Sequence, residues 1–96
     1  MARGEYAREF AQHFQRKDYR GAYSIFTDHP RDVLGGLREW EMLGAYLDFL
    51  NTGMASEAAE FYKAVQEDGH EQALRLIQTA QTFADMANGD LPVSVR

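Results

Sequence analysis

The sequence predicts an all-α domain of four to five helices, arranged as antiparallel hairpins or as a small helical bundle. Three observations carry that prediction. Apolar residues recur at three- and four-residue spacing from Tyr6 to Ala87, the period of a helix with one buried side. The stripes are separated by short turn-forming groups, Lys17-Asp18, Asp28-His29-Pro30, Asn51-Thr52-Gly53 and Asp68-Gly69. No segment alternates apolar and polar residues as a half-buried strand would.

The first helix is expected from about Glu5 to Arg16, because Tyr6, Phe10 and Phe14 repeat every four residues with Ala7 and Ala11 beside them. Lys17-Asp18 ends it, and Asp18 is suited to cap a second helix running from Tyr19 to about Thr27. Ala22, Tyr23, Ile25 and Phe26 form that helix's inward side. Pro30 fits the first turn of a third helix. Gly35-Gly36, at about 1 kcal/mol of lost helicity per glycine, either kinks this helix or delays its start to Leu37. From there Leu37, Trp40, Leu43, Leu47 and Leu50 give the apolar side, up to a stop at Asn51-Thr52-Gly53. A fourth helix, about Ala55 to Gln66, turns Ala58, Phe61, Tyr62 and Val65 inward. A fifth, about His70 to Ala87, buries Ala73, Leu74, Ile77, Ala80, Phe83 or Ala84, and Ala87, and stops at Asn88-Gly89. Residues 1–89 thus form one domain and 90–96 an extended tail.

Charge limits the partners. Residues 1–38 carry seven Arg or Lys against five acids, whereas residues 39–96 carry three against ten. The acidic C-terminal part is unsuited to direct contact with nucleic acid, whose phosphates require Lys and Arg. Arg16, Lys17 and Arg20 make the one basic cluster, and a solvated turn explains it as well as a contact does. Without cysteine the chain has neither disulfides nor thiolate metal sites. No apolar run reaches the roughly 18–20 residues that span a bilayer, and Met1 to Glu5 lacks the apolar core of a secretory signal. A cytoplasmic protein without membrane contact is the expectation.

No arrangement of an enzyme emerges. Glu9 and His13 stand one turn apart, and Glu67-x2-His70 has the letters of a di-iron motif, but Asp68-Gly69 interrupts the helix such a motif needs. Ser24 and Ser56 lack a nucleophile's flanking signature, and Gly35-Gly36 lacks the remaining residues of a phosphate loop. Neither a catalytic group, a metal site nor a cofactor is expected.

Trp40-x2-Leu43-Gly44-x2-Leu47, followed by Ala58-x3-Tyr62, resembles the tetratricopeptide pattern W-x2-L-G-x2-Y then A-x3-F. Asp18-Tyr19-x2-Ala22-x3-Phe26 is similar to the second half of the same unit. The chain departs from the pattern at Phe10, where a small residue belongs, and in the gap from Gly44 to Ala58, two residues longer than usual. The resemblance implies small residues, Gly44, Ala22 and Ala58, at close helix approaches, and a groove lined by the first helix of each hairpin. Groove residues would then be Ala11, Phe14 and Gln15, with Arg38, Glu41, Ala45, Asp48 and Phe49. Phe14 and Phe49 would form an apolar floor, and Arg38, Glu41 and Asp48 would fix a partner's register. The same spacing also suits Phe14 and Phe49 as plain core aromatics, with Trp40, Leu43 and Leu47.

Two functions are consistent with these residues, both non-enzymatic. The first is a small adaptor or chaperone that holds or blocks a protein partner; residues 18–50 are broadly similar to the needle chaperones of type III secretion systems. The second is an acidic inhibitor, of the kind phages and mobile elements direct against CRISPR or other host nucleic-acid-binding complexes. There Glu57 and Glu60, with Glu67, Asp68 and Glu71, would imitate DNA charge. An exposed apolar seam on so small a protein also fits a homodimer.

Overall fold

The computed structural model describes residues 4–87, so the expected stop at Asn88-Gly89 and the tail 90–96 lie outside the described residues. These contain six helices and no strand: α1 (Glu5–Gln15), α2 (Tyr19–Asp28), α3 (Pro30–Gly35), α4 (Glu39–Asn51), α5 (Ala55–Glu67) and α6 (Glu71–Ala87). The described residues are all-helical, but with six helices in place of the expected four to five. The additional element is α3. Pro30 starts it and the glycine pair ends it, so 30–51 is two helices and not one kinked rod.

Three of the connections share one geometry. After α1, α4 and α5 the chain passes through a left-handed residue, Lys17 at φ 63°, Gly53 at 80° and Gly69 at 78°. The next amide then reaches back to a carbonyl near the helix end: Asp18 to His13 at 2.7 Å, Met54 to Phe49 at 2.8 Å, His70 to Val65 at 3.2 Å. This is the Schellman stop, which satisfies carbonyls that a helix end leaves open. Glycine takes the left-handed conformation readily at 53 and 69, whereas Lys17 adopts it at a cost of about 1–2 kcal/mol.

At the first of these turns the usual apolar contact is replaced by a polar one. Asp18 caps α2 by accepting from the Gly21 amide at 3.1 Å, and its other oxygen lies 2.8 Å from His13 Nδ1. The Gly21 amide, and then the His13 imidazole, hold the Asp18 carboxyl below its ordinary value of 3.8.

Helix α1 packs against α2 and α3, while α4 packs against α5 and α6. Joining the two groups is an aromatic cluster. Phe49 lies 5.3 Å from Phe14, 5.8 Å from Tyr23, 5.8 Å from Phe61 and 6.5 Å from Phe10, ring centre to ring centre. Phe10 and Phe61 stack at 6.1 Å, and Phe26 reaches Phe61 at 5.0 Å. Four helices thus meet on one set of rings. Val33 and Leu34 add the buried side of α3, and Met42, Met54, Val65 and Ile77 extend the core along α4, α5 and α6.

On α5 the expected Ala58, Phe61 and Val65 are buried and Tyr62 is half-buried; at the start of α6 Ala73 and Ile77 are buried and Leu74 is half-buried. The core of α4 is not. Met42, Ala45, Tyr46 and Phe49 are buried, whereas Trp40 is 63% exposed and Leu43 and Leu47 are only half-buried. Helix α4 is apolar nearly all round, so its period admits two phases, and packing against the rings of α1 and α5 selects the one that seats Phe49. On α6 the expected burial of Phe83 or Ala84 also fails, because no residue between Gln78 and Met86 is fully buried. No helix among the described residues is long and apolar enough to cross a membrane.

Two consequences can be measured. Because its folded value is lowered, the Asp18 carboxylate contributes stability above 3.8 that is lost as pH falls through the folded value. Asp18→Asn keeps a capping oxygen but cannot ionise, so its Tm should lie below that of the wild type at neutral pH, and the gap should close on acidification below 3.8. A pH-independent gap would remove the carboxylate's charge from the account. The second concerns Gly36, where an added Cβ would stand 2.6 Å from the Ala7 Cβ and 3.2 Å from the Gly4 Cα. Gly36→Ala should therefore cost about 1–3 kcal/mol in denaturant unfolding by forcing α3 from α1, despite alanine's higher helix propensity.

Candidate partner-binding face

Helix α4 occupies the middle of the fold, and its outward side is apolar. Trp40 and Leu50 are exposed there, and Leu43 and Leu47 are half-buried. On either side of it runs a cleft. The first, about 310 Å³, lies between α1 and α4, with Phe10, Ala11, Phe14 and Gln15 facing Trp40, Glu41, Gly44 and Asp48. The second, about 370 Å³, lies between α4 and α6, with Tyr46, Leu47 and Leu50 facing Ala80, Gln81, Ala84 and Asp85. Leu47 follows Trp40 by seven residues, close to two whole turns of the helix, and Leu43 and Leu50 lie within about a quarter-turn of that line, so the two clefts border one continuous surface.

Local bonds hold the walls. The Glu41 carboxylate accepts from the Arg38 amide at 2.8 Å, which closes the first turn of α4 and fixes the Glu41 side chain. Gln81 donates to the Tyr46 hydroxyl at 2.7 Å, and Gln78 donates to that of Tyr62 at 3.2 Å, so α6 is tied to α4 and α5 by two side-chain amides. Beyond the Gln81 bond, Phe83 is 64% exposed, and Met86 is also open to solvent.

Among the residues expected to bind a partner, Phe14, Glu41 and Asp48 line the first cleft, together with Ala11, Gln15 and Ala45. Arg38 is exposed at the N-cap of α4, outside that lining. Phe49 requires correction. It is fully buried among Phe10, Phe14, Tyr23 and Phe61, and no partner can touch it without unfolding the core. Gly44 also differs from expectation, since a Cβ there would meet nothing within 4 Å, and the residue marks open floor and not a close helix approach.

Glu57 and Glu60 lie elsewhere, on α5 beside Tyr23. Burial, and then Glu60 and Glu57, push the Tyr23 hydroxyl above its ordinary value. Glu60 borders a hollow that also contains Lys63 and Glu67, so the acids there are mixed with a cation. The histidines have local partners: His13 with Asp18, His70 Nε2 with Asp68 Oδ2 at 2.7 Å, and His29 stacked on Tyr6 at 3.6 Å. Among the described residues no three His, Cys, Asp or Glu side chains converge where they could hold a metal.

Trp40 was expected in the core, and the α4–α6 cleft was not anticipated at all. Their signal was present in the apolar character of residues 42–50, interrupted by a single charge at Asp48, which leaves side chains over whichever phase is buried. No family model matches the chain, and neither curated proteins nor solved structures give a match.

The burial contrast on α4 predicts a division of effects. Phe49→Ala should cost about 3–5 kcal/mol in urea unfolding, as a large aromatic lost from a filled core does. Trp40→Ala, at an exposed position, should move the midpoint far less. Equal losses would place Trp40 in the core.

Proposed function

We propose that the protein is a non-enzymatic interaction module that holds or blocks a protein partner through the outward face of α4. The observation that carries this reading is the exposure of Trp40 on a surface continuous with Leu43, Leu47 and Leu50 and flanked by two clefts. Exposed tryptophan is costly to leave in water and dominates binding energy where a partner covers it. Clefts with an apolar floor and a few polar groups at the edge suit a helix laid in a groove.

The arrangement also supports a tetratricopeptide-like reading in which α1–α2 and α4–α5 are two antiparallel hairpins. Helix α6 packs against both α4 and α5, which is the place of a capping helix. A small chaperone or adaptor, as the similarity to needle chaperones implies, fits that reading. The charge-mimic alternative rests on Glu57 and Glu60, but Lys63 shares their surface and no comparable apolar area adjoins them.

Affinity capture from the source cell separates the two. Trp40→Ala combined with Leu47→Ala should reduce recovery of the partner about ten-fold or more, with little dependence on salt. Glu57→Lys with Glu60→Lys should leave it intact. The reverse result, with recovery falling steeply as salt rises, would favour the charge mimic. Recovery indifferent to both pairs would exclude both readings.

A further inference from the structure

We infer that the partner of the α4 face is a cationic amphipathic helix. This rests on the reading of that face as the binding surface, and it adds the partner's chemistry. Every charged residue lining the two clefts is an acid: Glu41 and Asp48 in the first, Asp85 in the second. No Arg or Lys lines either one, although the hollows elsewhere on the molecule include Arg31 or Lys63. The rest of the cleft surface is largely apolar, so the face is an acidic-edged hydrophobic strip and not a general acidic patch.

The carboxylates are also spaced for a helix. Glu41 and Asp48 are seven residues apart, two turns and roughly 10 Å along one side of α4. Basic residues two turns apart on a helix lying along α4 would meet both, while the apolar side of that helix covers Trp40 and Leu47. Glu41 is already fixed by the Arg38 amide, so little side-chain freedom is lost when it pairs. The Asp48 carboxylate makes no hydrogen bond among the described residues and is free to accept one. Trp40, exposed beside both, is an aromatic ring on which a Lys or Arg side chain can rest. The same carboxylates repel phosphate, which sets nucleic acid and anionic lipid against this face.

Trp40 is the only tryptophan in the chain, so its emission reads this surface directly. The test titrates the full chain with three tryptophan-free helical peptides that share one leucine stripe and carry Lys, Gln or Glu at their polar positions. The Lys peptide should give a saturable blue shift with an affinity about ten-fold or more above that of the Gln peptide, and the Glu peptide should bind weakest. Asp48→Asn with Asp85→Asn, shown to be folded by circular dichroism, should lose most of that preference, whereas Glu57→Gln with Glu60→Gln should keep it. Equal loss in both pairs would reduce the effect to net charge and overturn the inference. Tight binding of the Gln or Glu peptide would overturn the charge assignment while leaving an apolar groove in use. No response to any peptide would overturn the reading of the face itself. A blue shift produced by raising the protein concentration alone would assign the face to a second copy of this chain.

Discussion

The meeting of Phe10, Phe49 and Phe61 is the contact on which the other features depend. Each ring comes from a different helix, and each is essentially fully buried. Without it, the α1–α2–α3 group and the α4–α5–α6 group would share little apolar surface. Aromatic rings suit this role, since a few of them bury large areas and edge-to-face contacts give the packing a definite geometry. Small residues complete the arrangement: Ala22 and Ala58 are wholly buried, and Gly36 brings the end of α3 against Ala7 at the start of α1.

Seating Phe49 also decides what α4 shows to solvent. A helix with apolar residues on most sides cannot bury them all when its neighbours α1, α2, α5 and α6 leave one side uncovered. Once Met42, Ala45, Tyr46 and Phe49 face the rings, Trp40, Leu43, Leu47 and Leu50 remain over. The candidate surface is in that sense the complement of the core. Of its acids, Glu41 is held at the N-terminus of α4 by a backbone amide, where a negative charge also suits the helix dipole.

Much of the fold was legible in the sequence because local signals and tertiary packing agree there. The Tyr6-Phe10-Phe14 stripe, the Asp18 cap and the glycine stops at 53 and 69 each act within a few residues of where they are read. The phase of α4 was not legible, since no local signal distinguishes Trp40-Leu43-Leu47 from Met42-Ala45-Phe49. The rings of α1, α2 and α5 make that choice. For the same reason Phe14, Glu41 and Asp48 were placed at a cleft while Phe49 was assigned to its surface. Gly35-Gly36 is read locally as either a kink or a late start, and the close contact of Gly36 with Ala7, which shows the chain turning there, is not contained in a one-dimensional reading.

The attachment of α6 has its own consequence. Its 17 residues extend about 25 Å, yet among the described side chains its buried apolar anchors end at Ile77, and past that point two amide–phenol bonds, Gln78 to Tyr62 and Gln81 to Tyr46, tie it to α5 and α4. Free energy against local opening is therefore unevenly distributed along the helix, high in its first two turns and low in its last two. The wall formed by Ala80 and Ala84 belongs to the weakly held part. An occupant of that cleft would therefore bear on the least firmly held part of α6, and its binding would be linked to local opening of those turns.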